Sequence, residues 1–135
     1  MHKIPGVSVI MSVFNGEDFL ADAIKSVLNQ TFTNFEFIIV DDGSNDSSLA
    51  IIQSFQELDS RIKIIVHKNQ GLAKSLNIGI EHSIGKYIAR IDADDLCYES
   101  RLEKQYACLL YTSDAADDSL RVDLGGRRII KKSTL

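Results

Sequence analysis

Three carboxylates, those of Asp92, Asp94 and Asp95, directly follow the β-branched and aromatic stretch from Lys86 to Ile91. Such a stretch is typical of a buried strand, and open α/β sheets bind ligands where their strands end. Side chains two residues apart in extended backbone point the same way, so Asp92 and Asp94 should converge. Carboxylate oxygens suit Mg²⁺ or Mn²⁺, and Mg²⁺ usually recruits a phosphate-bearing substrate. The competing interpretation is an acidic, solvated turn.

A second acidic pair, Asp41 and Asp42, ends another apolar stretch, Phe35 to Val40, and Gly43 then permits a turn. In a parallel sheet the carboxyl ends of neighbouring strands meet at one edge. Both acidic groups should therefore lie at the same edge. No requirement of the hydrophobic core places carboxylates at both positions, so their convergence favours a binding site. Asp41, which precedes the turn, is interpreted as structural.

The elements that would position these groups alternate between strand and helix. The sequence predicts strands over residues 7–13, 35–40, 61–66 and 86–91, and helices over 17–29, 71–82 and 100–106, with a further helix after residue 46. Asn15 is the predicted cap of the first helix, and Ser44 or Asp46 that of the second. Alternation of this kind predicts an α/β fold with a mostly parallel sheet and helices on both faces.

Composition excludes several classes of protein. The chain has 135 residues, a net charge of -4, 44% hydrophobic residues and two cysteines. A negative net charge without a basic patch argues against nucleic acid as a partner. Two cysteines without zinc-ligand spacing argue against a disulfide scaffold and a zinc site, and fit a reducing compartment. The start of the sequence lacks a long apolar run, so we expect no signal peptide, and no apolar run has membrane-spanning length.

The C-terminal part does not continue this pattern. Residues 108–118 follow neither the strand nor the helix period, and the string resembles a translated sequencing adapter. We therefore expect residues 1–107 to be the native part of the domain, truncated near Ala107. Residues 108–135 are expected to be a disordered, non-native tail.

Six motifs in series resemble the N-terminal, donor-binding half of a family 2 glycosyltransferase with the Rossmann-like GT-A fold. In chain order they are Val9–Asn15, Ser26–Phe32, Ile39–Ser44, Asn69–Leu72, Asn77–Ile80 and Ala89–Asp95. Each is weak alone, but together they cover most of residues 5–107. The family transfers a sugar from a nucleotide diphosphate to an acceptor, with inversion at the anomeric carbon. The resemblance favours a UDP-sugar and a glycan or lipid-linked acceptor.

The resemblance also implies roles for individual residues. Phe14 would pack against the base, and Asp42 would accept a hydrogen bond from its imide. The acidic pair Asp92 and Asp94 would position the ribose and hold Mg²⁺ or Mn²⁺ on the diphosphate. The complete expected set for the donor nucleotide is Ser12, Phe14, Asn15, Asp42 and Asp92.

Other expectations concern what this stretch lacks. A general base is needed for inverting transfer, and the family takes it from the second half of the domain, so the truncated chain is expected to be inactive. The family often has a proline shortly after the acidic pair, whereas this chain has Leu96–Ser100, which leaves the path of that loop open. We expect a cytoplasmic location, with peripheral association at the inner membrane face in a full-length protein.

Arg90 is interpreted as an ion-pair partner of the acidic loop, with a diphosphate contact as the other option, and His67 and His82 as surface residues. Two other functions remain open. A sugar nucleotidyltransferase would carry a basic, glycine-rich loop after the first strand, whereas Phe14–Glu17 is acidic. A phosphoacceptor signalling domain would need an aspartate at the end of the third strand, where this chain has Val66–Lys68.

Overall fold

The computed structural model describes residues 4–112, 121–124 and 127–131, with side chains up to residue 108. The strands are β1 (Val7–Val13), β2 (Phe35–Asp41), β3 (Ile62–Val66), β4 (Tyr87–Arg90), β5 (Arg121–Leu124) and β6 (Arg127–Lys131). The helices are α1 (Leu20–Leu28), α2 (Ser48–Leu58), α3 (Leu72–His82) and α4 (Arg101–Thr112). The strands form one sheet in the order β3-β2-β1-β4-β6-β5.

The first four strands are parallel, as the alternating pattern predicted. β1 and β2 pair over their whole length, from Val7 opposite Phe35 to Val13 opposite Asp41. Because the two strands end level, Phe14 and Asp42 leave the sheet side by side, and the Asp42 N–H donates to the Val13 carbonyl at 2.8 Å. The predicted edge of strand ends is therefore present.

Helices cover both faces of the sheet, which confirms the predicted α/β class. On one face, alternate residues of β1 and β2 pack with side chains of α1, α2 and α4, including Ile24, Ile52 and Leu102. On the other face, Ile10 and Ile38 pack against Leu76 and Ile80, the last two from α3. Both sides of the central strands are apolar because both are buried.

α3 lies very close to the sheet. A Cβ at Gly79 would stand 2.6 Å from the Ile10 Cγ2 and 3.3 Å from the Val40 Cγ2. Glycine therefore lets the helix reach β1 and β2 without a clash.

The amino edge of the sheet contains a buried polar network around Glu36, which is 4% exposed. Its carboxylate accepts hydrogen bonds from the Lys63 Nζ at 2.6 Å, from the Ser8 hydroxyl and from the Ile84 N–H. Burial raises the pKa of Glu36, but these hydrogen bonds and the Lys63 charge outweigh it, so the pKa lies below its usual 4.5. The network joins β1, β2, β3 and the turn before β4.

α1 begins later than the sequence predicted. Its first residue is Leu20, and Asn15, the predicted cap, lies in a turn with φ +51°. The turn is closed because the Gly16 carbonyl accepts the Leu20 N–H at 2.9 Å. The N-cap of α2 is Ser47, one position after Asp46, which was one of the two predicted caps. The Asp46 carboxylate accepts the Ser48 N–H at 2.9 Å. Within the described part of the chain, no helix is both long and apolar enough to cross a membrane.

Part of the predicted tail lies outside the described residues. Of residues 108–135, the structure describes the end of α4 and the strands β5 and β6. β6 runs antiparallel to β4, with Tyr87 opposite Lys131. Thus β4 has a neighbour on each side, β1 and β6. The predicted domain boundary after residue 107 stays a prediction.

Candidate functional site

The residues predicted for nucleotide binding stand at the ends of β1, β2 and β4. Ser12 is half-buried in β1, opposite Val40 of β2. Phe14 follows the last residue of β1, and half of it is exposed. A large ring left exposed at a strand end is available for packing against a flat ligand.

Asn15 is held by its neighbours in the turn. Its N–H donates to the Ser44 hydroxyl at 2.9 Å, and its Oδ1 accepts the Asn45 N–H at 2.8 Å. The Gly16 N–H donates to the Ser48 hydroxyl at 2.9 Å. These bonds fasten the loop after β1 to the loop after β2. The observed contacts of Asn15 therefore position Phe14, and its predicted contact with the nucleotide stays a prediction.

Asp42 is 3% exposed and lies at the centre of a hydrogen-bond network. Its Oδ1 accepts the Gln70 N–H at 2.9 Å and its Oδ2 accepts the Gly71 N–H at 3.1 Å. The Asn69 side chain lies 3.4 Å from Oδ2. Asp42 thus holds the segment before α3 against the end of β2.

The backbone of the same region is glycine-dependent at two positions. Gly43 has φ +77°, and a Cβ there would stand 2.6 Å from the Asn69 nitrogen. Gly71 has φ +96° and precedes α3. A side chain at Gly43 would therefore strain the turn and push away the segment that Asp42 holds.

The prediction that His67 is a surface residue is wrong. Its side chain is only 12% exposed. Its Nε2 lies 3.4 Å from the Asp42 Oδ1 and 3.3 Å from the Ser75 hydroxyl. His67 directly follows β3. This position at a strand end was the feature of the sequence that could have placed it at the site. His82 is exposed, as predicted.

Asp92, Asp94 and Asp95, here termed the acidic cluster, lie together beyond β4. The Ile91 N–H donates to the Ile10 carbonyl at 3.1 Å, which extends the pairing with β1 by one residue. The three residues can each offer a carboxylate oxygen, and these atoms lie within 4.8 Å of one another. Opposite ligands of an octahedral Mg²⁺ ion are about 4.2 Å apart, from bonds of about 2.1 Å. Residue type and spacing therefore fit a hard divalent cation.

Arg90 confirms the interpretation as an ion-pair partner. Its Nε donates to the Asp92 Oδ1 at 3.1 Å, and both side chains are partly exposed. The Asp95 N–H donates to the Asp92 carbonyl at 3.1 Å, so the backbone of the acidic cluster turns tightly. The ion pair fixes one carboxylate of the cluster and reduces its net negative charge.

The path of the loop after the acidic cluster, which the sequence left open, runs across the C-terminal end of α1. The Cys97 N–H donates to the Ser26 hydroxyl, and the side-chain amide of Gln30 bonds the backbone of Tyr98 in the loop and of Leu102 in α4. Gln30 was part of a recognised motif, but no role was predicted for it. Its place directly after the predicted first helix was visible in the sequence, but its burial was not.

Comparison with known proteins identifies the family. Residues 8–135 match the family described as Glycosyl transferase family 2. Among curated proteins, the chain is 47% identical over 111 residues to the putative glycosyltransferase EpsE of Bacillus subtilis, which covers 81% of this chain and 40% of that protein. The chain spans less than half the length of the first curated relatives it matches.

Solved structures share the fold at low sequence identity. Staphylococcus aureus TarS 1–349, crystallised in complex with UDP, has a TM-score of 0.78 at 19% identity, over 93% of this chain and 46% of that one. The mannosyltransferase PcManGT from Pyrobaculum calidifontis, in complex with GDP-Man and Mn²⁺, has a TM-score of 0.79 at 18% identity, over 96% and 45%. The expected GT-A arrangement is thereby confirmed.

Proposed function

Since the chain belongs to glycosyl transferase family 2, we propose that it forms the donor-binding part of an inverting glycosyltransferase. The donor is a nucleotide-diphosphate sugar, with uridine as the nucleotide, and the acceptor is a glycan or a lipid-linked sugar. The observation that carries the proposal is the acidic cluster at the carboxyl edge of the sheet, the same edge at which the ring of Phe14 is half-exposed. Solved structures of two proteins with this fold are complexes, one with UDP and the other with GDP-Man and Mn²⁺.

Each group at the edge has a part in donor binding. Phe14 packs against the base, and Ser12 lines the end of β1 beneath it. Asp94 and Asp92 hold a divalent cation, Mg²⁺ or Mn²⁺, at the diphosphate. When bound, that cation neutralises the negative charge that develops on the leaving diphosphate.

Asp42 is proposed to reach the base while it holds the segment before α3. A carboxylate has about four acceptor positions, and the two backbone N–H groups of Gln70 and Gly71 occupy two of them. The Asn69 amide and the His67 Nε2 each lie 3.4 Å from a carboxylate oxygen. The base imide would replace one of these two longer contacts, with the ligand approaching over Phe14.

The general base is a separate requirement. Deprotonation of the acceptor hydroxyl needs a carboxylate placed on the acceptor side. We assign this role to no residue of the described part, because the acidic cluster is already committed to the cation.

Calorimetry tests the proposal by measuring UDP affinity with and without Mn²⁺. In wild-type protein, Mn²⁺ should strengthen UDP binding. In Asp94→Ala, the UDP affinity measured with Mn²⁺ should be about tenfold lower than in wild type, which corresponds to 1.4 kcal/mol. Asp22→Ala is the matched control, since Asp22 is an exposed carboxylate on α1. GDP in place of UDP tests the nucleotide. Equal Mn²⁺-dependent affinity in wild type and Asp94→Ala would show that the cluster is only a solvated acidic turn.

A further inference from the structure

The acidic cluster stands on a loop whose path depends on contacts with other parts of the chain. Residues 91–100, between β4 and α4, have neither helix nor strand. Ile91 is buried, and Ala93 and Cys97 pack against the core. Leu96 is 71% exposed and Tyr98 is 86% exposed, so apolar packing does not hold the backbone beyond Cys97. Hydrogen bonds from another part of the chain hold it there.

Gln30, just beyond the C-terminal end of α1, bonds both the loop that follows the cluster and the first turn of α4. Its Nε2 donates to the Tyr98 carbonyl at 2.7 Å, and its Oε1 accepts the Leu102 N–H at 3.0 Å. The same Nε2 lies 3.1 Å from the Ser26 carbonyl, to which it also donates. Gln30 is only 3% exposed, so these bonds are made away from solvent. Hydrogen bonds of buried amides hold a loop firmly because leaving them unmade is costly.

Neighbouring groups of the same helix end add to this attachment. The Ser26 hydroxyl accepts the Cys97 N–H at 3.1 Å. The Thr31 N–H donates to the Glu99 carbonyl at 2.7 Å. The bonds to Cys97, Tyr98, Glu99 and Leu102 all go to backbone atoms, so the attachment fixes the path of the main chain from the loop into α4 whatever side chains the loop carries.

We propose that Gln30 is a positioning residue for the acidic cluster. By holding residues 98 and 102 it keeps Asp94 and Asp95 where they can share one cation with Asp92. A neutral amide is required because the site needs a donor for a carbonyl and an acceptor for an N–H at once. This inference rests on the proposed function, since it assumes that the cluster binds a divalent metal.

The test measures Mn²⁺ affinity of the full 135-residue chain by electron paramagnetic resonance of free Mn²⁺. Gln30→Met keeps an unbranched side chain but removes both hydrogen-bonding groups. We expect it to weaken Mn²⁺ binding about 10–100-fold, the usual effect of losing a residue that orients metal ligands. Amide hydrogen exchange at Leu102 should become faster in the same variant.

Ser8→Ala is the matched control for lost stability. Ser8 is buried at the opposite edge of the sheet, where its hydroxyl bonds Glu36 and the Gly85 N–H. It should lower stability and leave the Mn²⁺ affinity unchanged. If Gln30→Met does not fold, Ser26→Ala serves in its place, because it removes only the bond to the Cys97 N–H and the donation to the Ala23 carbonyl.

The outcomes separate the two proposals. Loss of Mn²⁺ affinity in Gln30→Met but not in Ser8→Ala supports the positioning role. Wild-type Mn²⁺ affinity in Gln30→Met, or an equal loss in Ser8→Ala, overturns that role alone, provided that Asp94→Ala still abolishes binding. If wild type and Asp94→Ala bind Mn²⁺ equally, the proposed metal site fails and the positioning role fails with it.

Discussion

Replacing Asp42 by asparagine removes one carboxylate oxygen from a buried network. The two oxygens accept separate backbone N–H groups, those of Gln70 at 2.9 Å and Gly71 at 3.1 Å. In Asp42→Asn one of these oxygens becomes an NH₂ group, and it then faces an N–H that it cannot accept. The substitution therefore preserves volume and tests the hydrogen bonds themselves.

The expected loss of stability follows from the one hydrogen bond that the substitution removes. A hydrogen bond from a backbone N–H to a charged acceptor contributes about 1.5–3 kcal/mol, and the orphaned N–H has little access to water. For a domain of this size, 1 kcal/mol moves the melting temperature by about 3–5 °C. Asp42→Asn should thus lower it by roughly 5–15 °C. If Asp42 also binds the base, UDP affinity should fall by about 1–3 kcal/mol.

Thermal melting and calorimetry with UDP measure these two effects separately. Asp41→Asn is the matched control, because Asp41 is equally buried and accepts the more distant Ser44 N–H at 3.3 Å. Its melting temperature should fall less than that of Asp42→Asn. An unchanged melting temperature in Asp42→Asn would refute the role of Asp42 in holding the segment before α3. A lower melting temperature with unchanged UDP affinity would place the base elsewhere.

Two further predictions concern stability. Because hydrogen bonds hold the pKa of Glu36 below 4.5 despite its burial, the stabilisation it contributes is present above pH 4.5 and is lost as pH falls through the lower, folded-state value. Urea unfolding over this range should show that loss, and Glu36→Gln should flatten the curve; equal pH dependence in both proteins would contradict the assignment. Gly79→Ala should cost about 1–3 kcal/mol by overpacking, since the new Cβ would stand 2.6 Å from the Ile10 Cγ2. Gly71→Ala, where no atom lies within 4 Å but φ is +96°, should lose stability through backbone strain alone, and an unchanged stability in Gly79→Ala would argue against tight packing of α3.

The fold was predictable because its signals are local. Apolar stretches of strand length alternate with helical periods, and this alternation by itself favours a parallel sheet with helices on both faces. Phe14 and Asp42 could be placed at one edge because neighbouring parallel strands end level there. The same logic applied to Val66 would have placed His67 beside Asp42, but a lone histidine offered no pattern to support that step.

The helix starts and the loop attachments were not predictable in the same way. Asn15 has the residue type of a helix cap, yet its side chain bonds Asn45 in a different loop, 30 residues away. Gln30 makes its decisive bonds to Tyr98 and Leu102, which are 68 and 72 residues further along the chain. Sequence periodicity reports which side of an element is apolar, but it carries no information about such distant partners.

The two acidic groups at the strand ends look alike in sequence, and their surroundings give them different chemistry. Asp42 is buried, and backbone N–H groups of its own chain already bond both of its oxygens, so its main effect is to organise the segment before α3. Asp94 is exposed, and the oxygens of the acidic cluster lie within 4.8 Å of one another. Mutual repulsion at that distance is relieved by a cation, whereas a carboxylate surrounded by N–H donors has no such need. The cation should therefore bind at the end of β4, and a substitution at Asp42 should affect nucleotide binding without removing the Mn²⁺ site.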